Sequence, residues 1–109
     1  MSAGGNAVRG RTIRFIWTEG PTKGSTYEHA FHEDGTVEFH KVGGEGGKPT
    51  REKQYAAERI SDDVYLVSYL GSSGYTLTTA LNFADKSLTG FASGAKEWHP
   101  VKGKFEIVR

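Results

Sequence analysis

Cysteine is absent from the 109 residues. That excludes disulfides, thiol nucleophiles and thiolate metal sites. No stretch approaches the roughly 18 apolar residues that a membrane-spanning helix needs. The opening segment, Met1 to Ala7, is small and polar and lacks the apolar run of a signal peptide. A cytoplasmic location with no membrane partner is the expectation. Neither sign of charge dominates: 14 basic and 13 acidic residues leave a net charge of +1, so there is no electrostatic footprint for nucleic acid. The histidines and carboxylates lack the short regular spacings of metal-ligand sets. The glycine-rich stretch Gly43 to Gly47 has no following Gly-Lys-Ser/Thr and no helix to supply a phosphate site. Neither a metal nor another cofactor is expected.

What is present is a chain with 36% apolar and 25% charged residues, the balance of a globular domain rather than a disordered one. Its length suits one domain with one core. Residues 1–9 are expected to be disordered and residues 10–109 to form the domain. The dominant pattern is period-two alternation, broken by turn residues. Arg11 to Trp17, Ser25 to His32, Thr36 to Lys41, Glu52 to Ile60, Val64 to Leu70, Tyr75 to Phe83, Ser87 to Ser93 and Val101 to Val108 read as eight strands. Glu52 to Ile60 is the ambiguous member, because Ala56-Ala57-Glu58-Arg59 also suits a helix. Ala95 to Trp98 is a candidate for one short helical turn. Hairpin-length connections exclude a parallel sheet, which needs crossovers. The expected fold is all-β: a single antiparallel up-and-down barrel of about eight strands, enough to hold one small ligand.

Strand parity assigns the faces. Ile13, Phe15 and Trp17 point inward, since Thr12 and Arg14 occupy the other face. Tyr27, His29 and Phe31 point inward and leave Glu28 in water. Val37 and Phe39 go together. Tyr65, Val67 and Tyr69 are taken as inner for their hydroxyls, which leaves Leu66 and Leu70 to pack outward, against a partner subunit if the protein is a homodimer. A buried tyrosine needs a partner for its hydroxyl, so this many aromatics reads either as core or as the lining of a pocket. His29 reads either as a satisfied core histidine or as a ligand contact. His32, His40 and His99 are expected at the surface, and Glu58 is expected to face outward, though it is the one carboxylate considered as a mid-barrel acid.

Several short segments resemble a known group. Gly10-Arg11-Thr12-Ile13-Arg14-Phe15, the hairpin through Thr36-Val37-Glu38-Phe39, Val64-Tyr65-Leu66-Val67-Ser68-Tyr69 and Ala80-Leu81-Asn82-Phe83 followed by Gly90 resemble the phenolic acid decarboxylases. They resemble more closely the molybdenum cofactor biosynthesis protein F-like (MoaF-like) domains of the same lipocalin-like (calycin) group. The Gly-x-Trp signature of true lipocalins is missing, because Gly10 and Trp17 are too far apart. The decarboxylase resemblance implies two tyrosines on the first strand, an arginine after the third and a glutamate beyond the fifth. Here those positions fall on Phe15 and Trp17, on Arg51, and near Gly71, with no Asp or Glu between Asp63 and Asp85. The resemblance thus implies the scaffold without its acid–base set, and fold alone does not carry function.

The site expected from these readings is a pocket of Phe15, Trp17, Tyr27, His29, Phe39, Arg51 and Tyr69. Arg51 reads either as an exposed charge or, as the decarboxylase resemblance implies, as a residue at the pocket mouth, where a guanidinium fork would hold a carboxylate. The expected role is binding of a small aromatic or carboxylate-bearing molecule. An enzyme using a tyrosine with His29, and an accessory module acting by dimerisation, are the alternatives.

Overall fold

The computed structural model describes residues 7–43, 49–52, 54–71 and 74–109. Among these there is no helix, and nine strands form one antiparallel sheet. They are β1 (Thr12–Glu19), β2 (Thr26–Phe31), β3 (Val37–Lys41), β4 (Thr50–Glu52), β5 (Tyr55–Arg59), β6 (Val64–Leu70), β7 (Thr76–Asn82), β8 (Ser87–Ser93) and β9 (Trp98–Ile107). The sheet order is β4-β3-β2-β1-β9-β8-β7-β6-β5. Every neighbour is a sequence neighbour except β1 and β9, which join the two ends of the chain. The result is a nearly closed up-and-down barrel.

The seam lies between β4 and β5, and the ambiguous segment crosses it. One half pairs with β3 (Val37 opposite Glu52) and the other with β6 (Tyr55 opposite Tyr69). Inward parity slips here, since Glu52 and Tyr55 are both buried although three positions apart. The single strand read from Glu52 to Ile60 is therefore two short ones that exchange partners. The Tyr55 backbone N–H donates to the Gly35 carbonyl at 3.0 Å, which ties the seam to the β2–β3 turn. In that turn Gly35 has a φ of 94°, a conformation glycine adopts without strain.

Two further expectations are corrected. Ala95 to Trp98 is a hairpin, not a helical turn: the Gly94 N–H donates to the Glu97 carbonyl at 2.7 Å, and Trp98 opens β9 opposite Ser93. The domain also starts before Gly10. Val8 is fully buried, Arg11 N–H donates to the Val8 carbonyl, and the Arg9 guanidinium lies 5.7 Å from the Tyr55 ring centre. Residues 1–6 of the expected disordered segment, Gly44 to Gly47 of the glycine loop, and Ser72-Ser73 lie outside the described residues.

The inner face follows the parity rule. Ile13, Phe15, Trp17, Phe31, Val37, Tyr65, Val67, Tyr69, Leu81, Leu88, Val101 and Phe105 form one buried cluster with Val8 and Tyr55. The outer face carries Arg14, which bridges Glu28 at 2.8 Å and Glu106 at 3.3 Å from the strands on either side. Leu66 and Leu70 do face outward. Two inward glycines allow the wall to curve. A Cβ at Gly90 would sit 1.9 Å from the Thr78 carbonyl oxygen, and one at Gly103 would sit 2.3 Å from that of Ile16. No larger residue fits such close strand approaches.

Candidate functional site

The barrel is solid at one end and hollow at the other. At the solid end Ile13, Phe31, Val37, Leu81, Leu88 and Phe105 fill the section, with edge-on aromatic pairs such as Phe83 with Phe105 and Phe31 with Tyr55. At the other end side chains draw back from a cavity of about 210 Å³. Trp17, Pro21, Thr22, Tyr27, His29, Phe39, Tyr69, Leu77, Ala92 and Val101 line it. The ends of β1, β3, β6 and β8 and the starts of β2, β7 and β9 supply most of these residues. Up-and-down topology delivers alternate strand ends to one rim, and that places residues far apart in sequence around one cavity.

Aromatic rings build the floor. His29 is buried, with rings on several sides: Phe15 at 4.3 Å, Phe39 at 5.4 Å, Tyr69 at 5.7 Å and Phe31 at 5.8 Å between centroids. Its Nε2 is 2.9 Å from the Tyr69 hydroxyl. Its Nδ1 is buried with no hydrogen-bond partner. Burial, helped by the nearby His40, lowers the imidazole from 6.5 to about 3, so His29 is neutral at physiological pH. Burial also raises the Tyr69 phenol, with smaller electrostatic contributions from Glu52 and then Tyr27. The site therefore offers a neutral imidazole hydrogen-bonded to a neutral phenol.

The residues expected at the site divide as follows. Trp17, Tyr27, His29, Phe39 and Tyr69 line the cavity together. Phe15 lies beneath it, against His29. Arg51 is not there, and this corrects its expected place at the mouth. It is exposed on the outer face of β4, 3.1 Å from the Thr36 hydroxyl and 3.6 Å from Asp34. The reason is parity, since Glu52 takes the inward position beside it. Glu58 is exposed as well, and among the described residues the buried carboxylate is Glu52, at 6% exposure. The alternation rule could not single out Glu52, because Arg51-Glu52-Lys53-Gln54 is an unbroken polar run. Pro21, Thr22, Leu77, Ala92 and Val101 line the cavity without having been expected there. They gave no signal beyond ordinary loop and strand positions.

Comparison with known proteins agrees with this architecture. The MoaF-like family model matches residues 21–106. The chain belongs to the MoaF-like family. Among solved structures, one from Burkholderia vietnamiensis, provisionally described as a beta-lactamase, superposes with a TM-score of 0.76. The match covers 94% of this chain and 97% of that one at 18% identity, a likeness that speaks for the fold. No curated protein matches. Among the described residues of this MoaF-like barrel, no group of three His, Asp or Glu side chains could hold a metal ion.

Proposed function

We propose that this MoaF-like barrel is a binding protein for a small, neutral, largely apolar molecule with one ring. The cavity carries the reading. It is enclosed mainly by Trp17, Tyr27, Phe39, Tyr69, Leu77, Ala92 and Val101, with few polar groups, which is the make-up of a ligand pocket. A cavity of roughly 150 Å³ holds benzene, so about 210 Å³ suits one substituted ring. The carboxylate-bearing ligand loses its support. Arg51 faces away, no lysine or arginine is among the lining residues, and His29 carries no charge. An anion would give up its hydration with nothing in return. Hydrolysis of beta-lactams, ascribed to the Burkholderia protein, does not transfer on likeness of fold.

The test is a ¹H–¹⁵N chemical-shift titration with ethylbenzene. Saturable shifts at the Trp17 indole and at Ala92, lost in Ala92→Leu protein that still gives a folded spectrum, support the reading. The absence of shifts up to the solubility of the ligand overturns it.

A further inference from the structure

The buried pair at the cavity floor can be read further, on the basis of the pocket proposed above. His29 and Tyr69 share one hydrogen bond, and it can be made in two ways. In the first, Tyr69 donates to Nε2, and the imidazole proton sits on Nδ1. That proton would then be a buried donor without an acceptor, because Nδ1 has no partner. The neighbouring rings do not replace one. Phe31, Phe39 and Phe15 lie at 11°, 25° and 33° to the imidazole, so an N–H in the imidazole plane does not point at their faces. In the second arrangement Nε2–H donates to the Tyr69 oxygen, Nδ1 keeps a bare lone pair, and the Tyr69 O–H is left to find its acceptor in the cavity. Orphaned buried donors are rare, and once the cavity holds an acceptor for the Tyr69 proton the second arrangement leaves none, so an acceptor bound there favours it.

The second arrangement has a consequence for the cavity. With its oxygen engaged by His29, Tyr69 keeps its own O–H proton for a group in the cavity it lines. A hydroxyl that accepts one hydrogen bond also donates the next more strongly. No lysine or arginine lines the cavity to balance an anionic acceptor. We propose that Tyr69, held by the Nε2–H of His29, is the hydrogen-bond donor of the site, and that the ligand is a one-ring molecule bearing a neutral carbonyl: an aromatic ketone, aldehyde, ester or amide. Trp17, Tyr27 and Phe39 supply the apolar walls, and Tyr69 fixes which end of the ligand enters first. Aromatic walls also suit a cationic amine. However, Glu52, the carboxylate that would balance it, is not among the lining residues, and burying an ammonium away from its counter-charge is costly.

Two measurements test the assignment. Long-range ¹H–¹⁵N spectra of the His29 ring at saturating acetophenone read the tautomer directly, with a protonated Nε2 expected and a protonated Nδ1 overturning the proposal. Affinities for acetophenone, ethylbenzene, benzoate and benzylammonium are then compared in the native and Tyr69→Phe proteins. Loss of the hydroxyl is expected to weaken acetophenone by roughly three- to tenfold, the size of one neutral hydrogen bond, and to leave ethylbenzene unchanged or tighter. Equal responses of the two would remove Tyr69 as the donor while leaving the pocket in place. Tighter binding of benzylammonium or benzoate than of acetophenone would overturn the neutral-carbonyl class. If none of the four binds, the pocket reading fails as well.

Discussion

A neutral histidine sealed in an aromatic cage makes the stability of this barrel depend on pH in a defined window. His29 titrates at 6.5 when free and at about 3 in the fold, because burial removes its water and His40 adds positive potential. A base whose pKa is lowered by folding takes up its proton more readily in the unfolded chain. Its contribution is therefore complete above about pH 6.5 and is lost as the pH falls toward 3. Two pH units below the free value, at about pH 4.5, the proton favours the unfolded chain roughly a hundredfold, or about 2.7 kcal/mol. For a domain of this size that corresponds to a fall in Tm of order 10–20 °C. The control is His29→Phe combined with Tyr69→Phe, which replaces both hydrogen-bonding partners by rings of similar shape at little net cost. It also leaves the surface carboxylates to titrate as before. The assay is thermal or urea unfolding followed by circular dichroism from pH 4.5 to 7.5. The native protein should lose stability steeply across that range and the double variant should not. Parallel curves would mean that His29 is solvated, and the account of the cavity floor would be wrong.

Four other outcomes follow from named contacts. Gly90→Ala should destabilise the barrel by about 3 kcal/mol, seen in urea unfolding, because the new methyl meets the Thr78 carbonyl oxygen at 1.9 Å. Arg51→Ala should change neither ligand affinity nor stability by more than about 0.5 kcal/mol, since its guanidinium is half-exposed and only bridges Thr36 and Asp34. Val8→Ser should cost about 2 kcal/mol, as a fully buried valine becomes a hydroxyl. Chromatographic assay with coumarate should show no decarboxylation, because Phe15 and Trp17 lack phenols and Arg51 points away from the cavity.

Much of the architecture is legible in local pattern. Alternation at Ile13-Phe15-Trp17 and Tyr27-His29-Phe31 names the inner face, because a pleated strand has only two faces and water chooses between them; at Tyr65-Val67-Tyr69 both faces are apolar, and only the hydroxyls point to the inner one. Turn residues such as Asp34-Gly35 mark the hairpins, because few residues accept the backbone angles a tight reversal needs. That is enough for an antiparallel barrel, and for the group of aromatics facing into it.

The sequence by itself does not say where alternation fails. Arg51-Glu52-Lys53-Gln54 is polar throughout, so local pattern cannot show that the chain leaves β3 for β6 there, with Arg51 outside and Glu52 inside. That choice belongs to closure of the barrel, a long-range condition. Nor can strand patterns separate a filled end from a hollow one. The solid end and the cavity draw on the same residue types, and the difference is a few side-chain volumes set by how alternate strand ends converge. The pairing of His29 with Tyr69 across 40 positions and the missing partner of Nδ1 exist only in three dimensions. The sequence determined that His29 faces inward, and tertiary structure decided that Tyr69 does too and that the two meet.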